Sequence, residues 1–202
     1  MADLRETFGT REVDALQELA SIGCGRAISA LGKLTKKQLE MDVPEAWIGT
    51  GPGAIAEFLG SLGQDLVAVG VKLEGALTGD LLLALPEKDA ETLAKILGFP
   101  PDAAGGWGGM SESALMESGN IVGSAFVSAV GTLVNEKLLL SVPSFSRGSG
   151  KACVERLVTH AGSVALATRF TWAGPQGALE GLILVMPEPE RIVRLLGHLK
   201  LR

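Results

Sequence analysis

The sequence has no tyrosine and only two histidines and two cysteines among its 202 residues. With only His160 and His198 available, a histidine-based metal site or a Ser-His-Asp triad has almost nothing to be built from. Cys24 and Cys153 follow neither CxxC nor zinc spacing, so they read as reduced packing residues of a cytosolic chain. Aromatic residues are 4% of the chain and the formal net charge is -5. No base-stacking platform and no basic phosphate-binding stripe can form, which excludes nucleic acid as a partner. Long hydrophobic runs are missing too. Stretches such as Leu81 to Leu85 fall far short of the roughly 18 residues of a membrane span, and the opening Met1-Ala2-Asp3-Leu4-Arg5-Glu6 has no signal-peptide pattern. The expectation is a cytoplasmic protein without membrane insertion, whose chemistry rests on carboxylates and amides.

What the sequence does have is an apolar share of 47% and enough length to bury one sizeable core, so a single domain over residues 1–202 is expected. It also has an internal repeat. Glu18 lies in Glu-Leu-Ala-Ser-Ile-Gly-Cys-Gly, and 99 residues later Glu117 lies in Glu-Ser-Gly-Asn-Ile-Val-Gly-Ser. Asp14 and Ser113 stand four residues before these glutamates, Ser21 and Asn120 three residues after them. Pro44 and Pro143 each follow another 23 positions on. The later segments match as well: Val67 to Leu85, Pro86 and a helix ending near Gly98 correspond to Val164 to Met186, Pro187 and a helix ending near Gly197. The repeats therefore run from about 10 to 98 and from 111 to 198.

Residues 99–110, with Phe99-Pro100-Pro101 and Gly105-Gly106-Trp107-Gly108-Gly109, read as a Gly/Pro linker. They lack the Gly-Lys-Ser/Thr ending of a phosphate loop, and Gly148-Ser149-Gly150-Lys151 fails the same test because Ala152 follows. Each repeat is expected to run long helix, short strand ending at the proline, loop, β-hairpin, second helix. The fold class is α/β of the α+β type, two pseudo-symmetric halves with an antiparallel or mixed sheet against helices. The first long helix should start at Thr10 or Arg11 and bury Val13, Leu16, Ala20, Cys24, Ala27, Leu31 and Leu34. Its counterpart should start near Ser111 and bury Leu115, Val122, Phe126, Ala129 and Leu133.

At about 100° per residue, Ser113, Glu117, Asn120, Ser124, Ser128 and Gly131 share one narrow sector opposite that apolar stripe. Asp14, Glu18, Ser21, Gly25 and Gly32 form the matching sector of the first helix. Any amphipathic helix has a solvated face, and a Glu with an Asn three residues on is common there. The recurrence of the spacing in both halves, with a proline at fixed distance, favours a functional face. Small residues around one carboxylate and one amide leave a low surface that a partner's loops can approach.

At these residues the sequence resembles the CheC, CheX and FliY family of response-regulator phosphatases, and among them CheC. The family pattern is Glu-x-x-Asn on each long helix. Glu117 and Asn120 fit it. Glu18 fits too, but Ser21 replaces the amide and Arg26 stands where a small or polar residue is usual, so the first site reads as degenerate. The resemblance implies a CheC-like domain that hydrolyses the aspartyl phosphate of a CheY-type chemotaxis regulator. Asn120 would orient the attacking water, and Glu117 would dock on the regulator's lysine. Asp14, Ser113, Pro44 and Pro143 would play supporting parts. No cofactor is implied in this chain, because Mg2+ would come with the bound regulator. The implied partners are the phosphorylated regulator and a CheD-type deamidase, and a monomer is expected. The competing readings are an adaptor that binds the regulator or the deamidase without hydrolysis, and a switch component similar to FliM or FliY. The second is disfavoured because the second half ends almost at Arg202.

Overall fold

The computed structural model describes residues 9–48, 52–102, 106–159, 164–174 and 177–198. His160 and linker residues 103–105 lie outside that set. In the first half the elements run α1 (Thr10–Thr35), β1 (Glu40–Met41), β2 (Glu45–Ile48), α2 (Pro52–Gly60), β3 (Leu66–Gly75), β4 (Gly79–Pro86) and α3 (Glu87–Ile96). The second half repeats that order with α4 (Gly109–Val134), β5 (Leu138–Leu140), β6 (Ser144–Gly148), α5 (Gly150–Leu157), β7 (Val164–Gly174), β8 (Gly177–Pro187) and α6 (Pro189–His198).

Two expectations need correction. The strand before each proline does not end there. It is interrupted and then rejoins the same neighbour, β1 and β2 on β7 and β5 and β6 on β3. Pro44 and Pro143 sit in these interruptions at the edges of the sheet, where a missing N–H costs no ladder bond. The chain stays attached through the Asp42 N–H to the Arg169 carbonyl (3.0 Å) and the Ser141 N–H to the Lys72 carbonyl (3.1 Å). The stretch read as a loop holds a helix in each half. At nine and eight residues, α2 and α5 are too short for a periodic signal. The Gly148-Ser149-Gly150-Lys151 segment starts α5, with the Ser149 hydroxyl accepting from the Ala152 N–H (3.3 Å) as a helix cap.

All strand pairings are antiparallel. The order across the sheet is β1 and β2, then β7, β8, β4 and β3, then β5 and β6. The hairpins of the two halves meet at the centre, where Leu81 faces Val185 and Leu83 faces Ile183. The short strands of each half pair with the hairpin of the other half.

Both faces of the sheet are covered, which is why its strands are apolar almost throughout. Alternate residues Val67, Val69, Val71, Leu81, Leu83, Leu85, Ile183 and Val185 pack under the long helices, α3 and α6. Leu66, Ala68, Leu82, Ala84, Leu182, Leu184 and Met186 face α2 and α5. One ion pair is built into this second side. Asp80, fully buried, accepts from Lys72 Nζ (2.6 Å) and from the Thr159 N–H (2.9 Å), which fixes the end of α5 to the β3–β4 hairpin.

The two long helices stop by the same device. Lys36 (φ 56°) and Asn135 (φ 51°), 99 residues apart, take the left-handed conformation. The next N–H, of Lys37 or Glu136, returns to the carbonyl of Gly32 or Gly131 at 3.0 Å in both cases. A Cβ on Gly32 or Gly131 would come within 2.8 Å of the carbonyl oxygen of Lys37 or Glu136, so the glycine is required by the turn itself.

Candidate active site

Helices α1 and α4 pack side by side and antiparallel: Gly23 of α1 lies against Phe126 and Val130, while Leu34 shares a groove with Ser113, Ala114 and Glu117. Gly23 makes this contact possible, since a Cβ there would be 2.5 Å from the Phe126 ring. The contact also corrects the expected stripe of α4. Leu115, Val122 and Phe126 are buried, but below them Val130 and Val134 turn inward, Ala129 is half-buried and Leu133 is 45% exposed. On α1, Val13, Leu16, Ala20, Cys24, Ala27 and Leu31 are buried and Leu34 half-buried. Helix α4 starts two residues before Ser111, because Gly108 serves as its cap and its carbonyl accepts from the Ser111 hydroxyl (3.0 Å).

The sequence Glu117-Ser118-Gly119-Asn120 alternates between solvent and core. Glu117 is exposed and Asn120 half-buried, whereas Ser118 and Gly119 are buried. Ser118 satisfies its hydroxyl on its own helix, donating to the Ala114 carbonyl at 2.9 Å. Gly119 lets α4 lie directly on β3, since a Cβ would meet Val69 Cγ1 at 2.4 Å. Three residues apart on a helix, the Glu117 and Asn120 side chains leave the same face about 5–6 Å from each other at Cβ. Among the described residues neither is engaged in a hydrogen bond or ion pair. Ser113, Ser124 and Ser128 are exposed on the same face. The result is a carboxylate and an amide held by a rigid backbone, with their polar ends free for a partner.

On α1 the matching turn presents exposed Asp14 and Glu18 and half-buried Ser21. These too have no hydrogen bond or ion pair among the described residues. Because the helices are antiparallel, the two Glu-bearing turns lie towards opposite ends of the pair. Between them runs a groove of about 470 Å³, lined by small residues such as Ala30, Ala125 and Ala129 and by the cationic Arg26 and Lys33. Beneath α1, Ala20 and Cys24 occupy the places that Gly119 and Gly123 occupy beneath α4. Burial pushes the Cys24 thiol up to about 12, so it stays protonated and serves packing. Pro44 and Pro143 lie at the sheet edges and not on either helix face. Among the described residues, no group of three His, Cys, Asp or Glu side chains converges as a metal site would require, and no helix is long and apolar enough to cross a membrane.

The sequence reading missed a second groove, of about 300 Å³, beside Glu117. It is lined by Leu34, Leu97, Phe99, Met110, Ser113, Ala114 and Glu117. Its walls come partly from the segment read as a linker. Phe99 is held there by the end of α3: Gly98 (φ 88°) takes the left-handed turn, and the Phe99 N–H returns to the Ala94 carbonyl (2.9 Å). The only sequence signal was an apolar residue on either side of a breaker-rich stretch.

No protein-family model matches the chain. It is 31% identical to the CheY-P phosphatase CheC of Bacillus subtilis (strain 168) over 138 residues. That match takes in 67% of this chain and 66% of the relative, just under two thirds of the relative's length. The fold extends the likeness over nearly the whole chain. FliY of Thermotoga maritima superimposes with a TM-score of 0.69 at 14% identity, covering 96% of this chain and 99% of that one. The CheX–CheY–BeF3–Mg2+ complex of Borrelia burgdorferi matches with a TM-score of 0.57 at 21% identity, over 83% of this chain and 97% of that one. With the sequence identity to CheC and one shared fold of paired helices on an antiparallel sheet, the chain belongs to the CheC/CheX/FliY family.

Proposed function

We propose that this protein is a phosphatase of a phosphorylated CheY-type response regulator, acting through Glu117 and Asn120 on α4. The observation that carries the proposal is the pair itself: one carboxylate and one amide on the same face of a long helix, exposed and half-buried, without partners among the described residues. The names of the relatives support the substrate, since the Bacillus protein is a CheY-P phosphatase and the Borrelia CheX is found in a complex with CheY.

The substrate is an acyl phosphate on an aspartate of the regulator. Hydrolysis adds the oxygen of water to phosphorus and breaks the P–O bond to the aspartate, releasing phosphate and a free carboxylate. Mg2+ bound by the regulator would neutralise charge on the phosphoryl oxygens. What remains for this chain is to hold a water in line. The Asn120 side-chain carbonyl can accept a hydrogen bond from that water without acting as a strong base. Glu117, one turn earlier, pairs with a lysine of the regulator and fixes the register of the docked helix. Ser113, Ser124 and Ser128 keep the surrounding surface low. Ser21 cannot reach as far as an amide, so the α1 face is weak or inactive.

The test is the decay of phosphorylated regulator with and without the protein, at equal Mg2+. Acceleration of phosphate release supports hydrolysis, while binding without acceleration supports an adaptor. Chelation of Mg2+ should abolish the acceleration while the purified protein itself carries no tightly bound metal. A stoichiometric metal in the protein refutes that assignment.

A further inference from the structure

Beside Glu117 the surface changes character. Met110 is 67% exposed in the first turn of α4 and Phe99 is 40% exposed, and with Leu34 and Leu97 they form the apolar groove that exposed Glu117 also lines. Exposed apolar side chains grouped around a concave surface mark an interaction site more often than scattered ones do. This group is rigid on one side, because the α3 cap fixes Phe99, and adaptable on the other, where the unbranched Met110 can reshape.

The repeat supplies an internal control. At the corresponding places of α1, 99 residues earlier, Arg11 stands for Met110, while Glu18, Asp14 and Ala15 stand for Glu117, Ser113 and Ala114. The carboxylate is kept in both halves, but the exposed Met110 beside Glu117 is replaced by Arg11 on α1.

We infer that the groove of Leu34, Leu97, Phe99 and Met110 is the anchor site for one large apolar side chain of the phosphorylated regulator, neighbouring the basic group that Glu117 receives. The inference rests on the proposed function and adds a specificity device to it. An unpaired carboxylate at the rim of an apolar pocket is complementary to a partner surface with a cation next to an apolar residue. A partner with that pair of groups can seat on α4 in one register only, with Asn120 one turn beyond the ion pair. The arrangement also lets one partner tell two similar helix faces apart, since α1 carries the cationic Arg11 where α4 carries Met110.

The experiment measures binding and turnover separately, using the CheY-type regulator of the same cell as the probe. Binding is read with the regulator held in its beryllofluoride form, and turnover with the phosphorylated form. The double variant Phe99→Ser/Met110→Ser should bind about tenfold or more weakly and raise KM by a similar factor, with kcat at saturation nearly unchanged. Arg11→Glu on the other face should change neither quantity. Circular dichroism and thermal melting identify any variant that has lost its fold. If the double variant is misfolded, Met110→Gln, at the more exposed position, provides the same readout. Equal binding by the folded polar variants and the parent overturns the anchor. Weakened binding without any acceleration of dephosphorylation by the parent protein preserves the anchor and refutes the phosphatase reading.

Discussion

Helices α1 and α4 have the same length, 26 residues, end in the same glycine-dependent turn and carry a glutamate at the same place. They differ in what lies above and below that glutamate. Above it, Asn120 on α4 is replaced by Ser21 on α1, and Met110 by Arg11. Below it, Gly119 and Gly123 bring α4 close to Val69 and Val71, while Ala20 and Cys24 fill the same positions under α1. The architecture of a docking helix has been kept in both halves, and the groups that would perform chemistry in only one. Scaffold and reactivity can therefore be tested separately.

The largest effect is expected at the polar face. Asn120→Ala should lower the dephosphorylation rate on the order of 10²-fold, the scale of one lost transition-state contact, with regulator binding and melting temperature nearly unchanged. Glu117→Ala should impair binding and turnover together. Ser21→Ala should do neither, and a loss there as large as at Asn120 would erase the distinction between the helices. Next in size is a gain. In the Asn120→Ala background, Ser21→Asn combined with Arg26→Ala should restore part of the phosphate release if α1 still docks. No recovery means that the α1 face has lost docking as well as chemistry.

Smaller still is the effect of the residues beneath. Gly119→Ala places a Cβ against Val69 and should cost about 1–3 kcal/mol in urea unfolding, typical of overpacking. The mirror change, Ala20→Gly, should cost about 1 kcal/mol for helix propensity plus a small void. Equal costs would mean that the two helices are equally close to the sheet.

The smallest effect concerns Asp89 of α3, whose carboxyl accepts from the Glu180 N–H of β8 at 3.3 Å and so ties the two halves together. Burial holds its pKa above the ordinary value, the hydrogen bond opposes this and the nearby Glu180 carboxylate adds to it. The folded state then holds the proton more tightly than the unfolded one. Stability should fall as pH rises from the ordinary aspartate pKa through the raised one. Asp89→Asn should flatten that dependence in urea titrations from pH 3 to about 6.

Most of this frame was legible in the sequence because it is periodic or punctuated. The buried residues of α1 follow steps of three and four, the hairpin strands are bounded by glycine and proline, and the 99-residue repeat placed Glu18 and Glu117 on matching faces. What was not legible depends on contacts between distant segments. The inward turn of Val130 is accommodated by Gly23 on another helix. Helices α2 and α5 are too short to show a period, and their apolar sides are defined only by the far face of the sheet. The groove beside Glu117 joins residues from α1, the end of α3 and the start of α4, so no local pattern announces it. The pairing of each half's short strands with the other half's hairpin was equally invisible, since no sequence signal in β1 or β5 names its neighbour.

That exchange of edge strands has a consequence for how the chain is made. While the first half leaves the ribosome, the edge of β3 has no neighbour, because β5 and β6 are not yet synthesised, and β1 and β2 have no strand to join until β7 appears. An early product would expose an open edge and unpaired strands, both of which invite pairing between chains. The same exchange gives a chain cut between α3 and α4 a reason to stay whole. Each fragment would carry the strands that complete the other's sheet, so two separately expressed halves should find one another and reassemble.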